Sequence, residues 1–295
     1  DKLGQNFDWY FGERDVVKET DLVVSKAINE KKVKKDDGAL ISTQEVDSPI
    51  LITKSDGSYL YLTTDLGTVL FRENKSSFDK YIYVVDSRQE NHFKQLFNTV
   101  KHFGLSNSDF YHVGFGTING SDNKPFKTRD GGVYKLNLLF EDIKEKLKKY
   151  NSDDQVLNTL TNTVLTYSDL LPNRNQNYIF DVDKFTDING KTGIYIQYAQ
   201  VRAKKLLDNS TRPGSYDINF DINCEERNLL LLITKFDYFF NLSLKNMEPH
   251  HLAEYLFSLS QAFNSFYTNN KIFSDEVPIA VSYTHLTLPT TLVVY

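Results

Sequence analysis

Three clusters of residues in this chain have the types and spacing to handle a charged small molecule. Tyr61 and Asp65 stand four residues apart, a separation that brings side chains together if both lie on one helical turn. By pattern alone Asp65 reads equally as a ligand-facing carboxylate or as the acidic residue that favours a helix N-terminus, and Tyr61 equally as the end of the preceding strand. Gln89 follows directly on a short apolar run, Tyr81 to Val85, and His92 comes one turn later; the carboxyl ends of strands are where open α/β sheets place ligands. A basic turn further on carries Lys127 and Arg129, which could stabilise phosphate charge or simply face solvent.

Other patterns are excluded. Gly190-Lys191-Thr192 imitates the end of a phosphate loop, but Phe185 occupies the position that demands the first glycine. Gly114, Gly116 and Gly120 are spaced one residue too widely for the dinucleotide fingerprint. The six histidines show neither H-E-x-x-H nor H-x-x-H spacing, so no protein metal site is expected. The single cysteine, Cys224, rules out an internal disulfide and points to a reducing, cytoplasmic compartment. A net charge of -5 supplies no global attraction to nucleic acid, and no apolar run approaches the roughly 20 residues of a membrane span. Lys144 to Lys149 alternates with acids, as a solvated helix face does.

The elements that must position these residues fall into two classes. Tyr81 to Val85 has the composition of a buried parallel strand; Phe93, Leu96, Phe97, Val100 and Phe103 repeat at helical spacing up to Gly104; and Phe110 to Phe115 is a second strand. Strand, helix and strand make a βαβ unit, preceded by a helix near Thr64 carrying Leu66, Val69 and Leu70. From about Thr192 the pattern is helical: Tyr195, Tyr198, Ala199, Arg202 and Leu206, then the apolar stretch Leu229 to Phe240, then a helix opened by Pro249. The fold class expected is α/β, a Rossmann-like parallel-sheet domain followed by an all-α bundle, joined between Asn173 and Lys191. The Thr-rich ending, 281–295, fits neither pattern and reads as non-native to the fold.

Six strings in fixed order carry a resemblance: K-S-D-G-S-Y-L-Y-L-T-T-D-L from Lys54, Y-V-V-D-S-R-Q-E-N-H-F from Tyr83, H-V-G-F-G-T-I from His112, K-P-F-K-T-R-D-G-G from Lys124, Y-I-Q-Y-A-Q-V-R from Tyr195 and L-S-Q-A-F-N-S-F-Y from Leu259. Across roughly residues 1 to 278 the chain resembles the bacterial-type arginyl-tRNA synthetases, class I enzymes, with the N-terminal part missing. The resemblance implies a catalytic-domain portion over 1–190 and a helical anticodon-binding domain over 191–280. It implies arginine contacts at Tyr61, Asp65, Gln89 and Glu13, although an isolated Glu is usually a solvated charge. It implies ATP contacts at His92, His112, Val113, Gly114 and Lys127, and catalysis by charge stabilisation at Lys127 and Arg129, in the position of the KMSKS loop. Gln197, Tyr198 and Arg202 become candidates for tRNA contact.

The implied activity is arginine activation by ATP, with Mg2+ arriving on the nucleotide, and transfer of arginine to tRNA(Arg) by a cytoplasmic monomer. Nothing in the 295 residues matches the HIGH signature, so the chain alone is expected to be inactive. A non-catalytic tRNA-binding protein derived from a class I synthetase, another class I synthetase and an unrelated nucleotide-dependent transferase are the alternatives.

Overall fold

The computed structural model describes residues 3–45, 48–76, 78–120, 124, 135–208 and 222–270. Its contacts divide the chain into two compact units: Phe7–Gly116, and Asp1–Asn6 together with Thr117–Tyr295.

In the first unit a short 3-10 turn, Glu13–Val16, leads into α1 (Val17–Asn29). Three strands follow, β1 (Val33–Asp36), β2 (Ala39–Ser42) and β3 (Leu51–Thr53), paired antiparallel in that order. The helix expected near Thr64 is α2 (Tyr61–Lys75). Leu60 is extended and its carbonyl receives the Thr63 and Thr64 amides, so Tyr61 is the first helical residue and not the end of a strand. The Thr63 hydroxyl donates to the Ile52 carbonyl and ties this first turn to β3.

The βαβ unit is present as read: β4 (Lys80–Asp86), α3 (Glu90–Phe103) and β5 (Asp109–Phe115), with β4 and β5 parallel and in register from Lys80↔Asp109 to Asp86↔Phe115. Gly104 takes the left-handed conformation, φ 60°, and the Leu105 amide returns to the Val100 carbonyl at 3.1 Å; this ends α3. Leu66, Val69, Leu96 and Val100 are fully buried in one cluster with Ile52 and Phe103. Burial at about 1.5–3 kcal/mol for each large side chain holds these helices more firmly than their intrinsic propensity. The strand reading needs one correction. β4 is covered on the face of Tyr81, Tyr83 and Val85 only, whereas Ile82 and Val84 are exposed, because α3 packs on a single side of the two-stranded pair.

The second unit contains β6 (Ile118–Asn119), α4 (Leu136–Leu147), α5 (Asp154–Leu170), β7 (Tyr178–Ile179), α6 (Val182–Phe185), α7 (Gly193–Asp208), α8 (Cys224–Ile233), α9 (Phe236–Asn246) and α10 (His250–Asn269). β6 and β7 form a short parallel pair. The helical character therefore begins well before Thr192. α4 and α5 bury Leu139, Ile143, Leu147, Leu157 and Val164 in one cluster with Ile194 of α7, and Gly193 is required there because a Cβ would meet the Thr163 carbonyl oxygen at 2.6 Å. The boundary between the compact units falls at Gly116/Thr117 and is one of packing, distinct from the functional division expected at 190/191. A second cluster joins Ala199, Ala203 and Leu206 to Leu229, Phe263 and Phe266. Among the described residues no helix is long and apolar enough to cross a membrane.

Candidate active site

Asp65 lies in the second turn of α2, and His92 in the first turn of α3, just past the carboxyl end of β4. The structure joins them: His92 Nε2 is 2.6 Å from Asp65 Oδ2, and both side chains keep about a third of their surface exposed (30% and 37%). The carboxylate is held at one oxygen and remains open to solvent, the condition under which it can still receive a cation. His92 also meets the edge of Phe93, and the other side of this network is His112 on β5, whose ring stacks on Phe93 with centroids 5.4 Å apart. His112 Nε2 is buried and has no hydrogen-bond partner among the described residues.

β4 ends in a turn that its own last residue fixes. The Asp86 carboxylate accepts from the Arg88 amide at 2.8 Å and from the Arg88 guanidinium at 2.6 Å. These hydrogen bonds, the side-chain one foremost, hold the Asp86 carboxyl at about 2, below its ordinary value. Gln89 closes this turn and is exposed. Gly114 sits beside it: an added Cβ would lie 3.0 Å from Ser87 Cα and from the His112 ring, so the close approach of the β4 turn favours glycine there. Val113, its neighbour, is buried.

Of the residues implied to bind arginine, Asp65 acquires His92 as partner. Tyr61 is 78% exposed, and among the described residues no hydrogen bond joins Tyr61 or Gln89 to Asp65. Glu13 lines a recess of about 390 Å³ with Trp9, Phe11, Thr68, Phe71 and Arg72. Asp65, Thr68 and Arg72 stand at i, i+3 and i+7 on α2 and so share a face. Arg72 lies over the Tyr83 ring at 5.4 Å, and burial pushes the Tyr83 phenol up despite that cation. Lys127 and Arg129 lie outside the described residues, as does 281–295.

On α7, Arg202 stacks on Tyr198 and Tyr267, at 4.0 and 4.9 Å from the ring centroids, and donates to Asn264 Oδ1 at 3.0 Å. Gln197 donates to the Thr163 hydroxyl at 3.1 Å. These two side chains make intramolecular contacts within the helical unit, while Tyr198 keeps 40% of its surface exposed. The Gly190-Lys191-Thr192 string is a helix start: Thr192 accepts from the Tyr195 amide, and Lys191 pairs with Glu254 at 2.7 Å.

Residues 6–182 match the family model for the catalytic domain of class I tRNA synthetases (R), and residues 196–291 match the DALR anticodon binding domain. The chain belongs to the arginyl-tRNA synthetase family. Among its relatives, the arginine--tRNA ligase of Agathobacter rectalis is 36% identical over 270 residues, covering 81% of this chain and 45% of the relative. That of Francisella tularensis subsp. tularensis is 36% identical over 284 residues, covering 91% and 49%. The crystal structure of arginyl-tRNA synthetase from Plasmodium falciparum superimposes with a TM-score of 0.80 at 28% identity, covering 97% of this chain and 52% of that one. The Thermus thermophilus arginyl-tRNA synthetase, at 16% identity and a TM-score of 0.78, shares the fold. The chain spans about half the length of the curated relatives it matches. The sequence reading did not single out Trp9, Phe11 and Arg72, which line the recess with Glu13, or Tyr83, which lies under Arg72. The seven-residue spacing from Asp65 to Arg72 was available as a signal; the approach of residues 9–13 to α2 was not.

Proposed function

We propose that the protein acts as an arginine--tRNA ligase, activating arginine with ATP to arginyl-adenylate and pyrophosphate and then transferring arginine to tRNA(Arg). The observation that carries this reading is the solvent-open carboxylate of Asp65, held by His92 at the carboxyl end of β4. A guanidinium is planar and permanently charged, so its recognition calls for a carboxylate and neutral oxygen acceptors; Tyr61, Gln89 and Glu13 are the further groups assigned to it. Gly114 and Val113, with His92 and His112, are assigned to the nucleotide, and Lys127 and Arg129 to charge on its phosphates. Mg2+ would arrive on ATP, since the oxygen ligands it prefers come largely from the phosphates. Catalysis on this reading rests on positioning and charge stabilisation, with no covalent nucleophile. Gln197, Tyr198 and Arg202 are assigned to tRNA, the functional domains to 1–190 and 191–280, and the working state is monomeric and cytoplasmic.

The 295 residues hold no HIGH string, so we infer that they do not turn over unaided. Arginine-dependent exchange of pyrophosphate into ATP by this chain is expected to be absent. In a form of the protein that includes a HIGH segment, Asp65→Asn is expected to raise the KM for arginine about ten- to a hundredfold and the KM for ATP by a smaller factor, since His92 loses its charged partner. An unchanged arginine KM would remove Asp65 from the arginine site, and absence of arginine-dependent exchange in that form, with tRNA binding intact, would move the reading to a non-catalytic tRNA-binding protein.

A further inference from the structure

The turn between α9 and α10 gathers metal-ligating side chains that the charging reaction does not use. Met247 takes the left-handed conformation, φ 53°, and the Glu248 amide bonds to the Ser243 carbonyl at 3.0 Å, so the chain reverses abruptly. Arg174 Nε donates to the Met247 carbonyl at 2.9 Å and braces the turn. Glu248, His250 and His251 then stand together, all half-buried. Glu248 Oε2 is 3.1 Å from His251 Nε2, and the two imidazoles approach to 4.0 Å between centroids. One ligand atom from each of the three residues lies within 4.8 Å of the others. His250 Nδ1 is closed to solvent and has no hydrogen-bond partner among the described residues. A polar atom in that condition is costly unless a water or an ion completes it.

We propose that Glu248, His250 and His251 bind a divalent transition-metal ion of the zinc class. Two imidazoles and one carboxylate are the donor set such ions prefer, and three protein ligands leave a fourth position for water. Mg2+ and Ca2+ favour oxygen shells and are excluded by the two nitrogens. Tetrahedral Zn2+ with bonds of about 2.0–2.1 Å places its ligand atoms about 3.4 Å apart. Glu248 and His251 already stand near that separation, and the ligand atom of His250 lies within 4.8 Å of both. Arg174 opposes the ion's charge, and Glu254 favours it but is already paired with Lys191. The affinity is therefore expected to be weaker than that of a Cys-rich structural site. The ion clamps the end of α9 to the first turn of α10, so binding it adds stability to that turn. Histidine motifs with a three-residue period do not reveal this site, because its two histidines are adjacent and the carboxylate precedes them.

The test is calorimetric titration of Zn2+ alone into the tag-free 295-residue chain. One ion per chain is expected, with a rise in the thermal midpoint and no displacement by millimolar Mg2+. His250→Gln and Glu248→Gln should each weaken binding at least tenfold, and far-UV circular dichroism checks that both remain folded. His102→Ala, which removes a histidine of the other compact unit, should leave binding unchanged. Absence of saturable binding, or an affinity retained when both Gln substitutions are combined, overturns the proposal. So does displacement of Zn2+ by Mg2+.

Discussion

Asp65 and Asp86 show how two carboxylates of one compact unit come to have different roles. Asp65 has one partner, an imidazole, and an open oxygen; Asp86 is saturated by the amide and guanidinium of Arg88 and shapes the turn that carries Gln89. The pH dependence follows from the sign of the Asp86 shift. Its folded-state value, about 2, lies below the ordinary 3.8, so its contribution is fully present above 3.8 and is lost as pH falls through about 2. Carboxyl-carbon NMR should place the Asp86 midpoint near 2, and Arg88→Ala should return it toward 3.8. A midpoint that stays near 2 without Arg88 would show that the backbone amide alone sets it. Of the residue-level reading, Asp65 and His92 were visible as candidates, but their 2.6 Å pairing was not, since 27 residues and a strand separate them.

At the scale of elements, local patterns were read well wherever one helix or strand carried its own signal. α3 shows its apolar repeat and its left-handed Gly104 cap because both are local properties of the chain. The close pairing of α1 and α2 had no such signal. It depends on Gly67, where an added Cβ would come within 2.8 Å of the Thr20 amide nitrogen and 2.9 Å of its Cα. These neighbours are backbone atoms of another helix and cannot rotate away. Gly67→Ala is therefore expected to cost about 1–3 kcal/mol, as overpacking does, although alanine is the better helix former. Urea denaturation measures the loss, and a stabilised variant would show that the two helices are not in contact there.

At the scale of the molecule, the apolar side chains are partitioned into separate clusters. Leu66, Leu96 and Val100 belong to one; Ala203, Leu229 and Phe266 belong to another in the other compact unit. Leu96 is fully buried, so Leu96→Ala should cost about 2–5 kcal/mol, and Phe266→Ala about 3–5 kcal/mol. Each loss should be felt where its partners lie. Hydrogen exchange should accelerate in α2, α3 and β4 for the first variant, and in α7, α8 and α10 for the second. Uniform acceleration across both sets of helices in either variant would show one cooperative core. The reading of a bundle beginning near Thr192 missed α4 and α5 because their faces are amphipathic in the ordinary way, and periodicity does not say which neighbour a face will meet.

Family membership was legible in the residues alone, since ordered strings of residues survive as local patterns whatever the packing. So were the strand, helix and strand of the parallel β4–β5 unit, through periodicity and the glycine that stops the helix. Tertiary structure alone decided which side chains meet: His92 with Asp65, His112 with Phe93, Arg202 between two tyrosines, and Glu248 with two adjacent histidines. The physical reason is that a side chain's direction is set by its own backbone, but its partner is set by how separate elements pack, and that choice is made over distances in sequence that no local pattern spans.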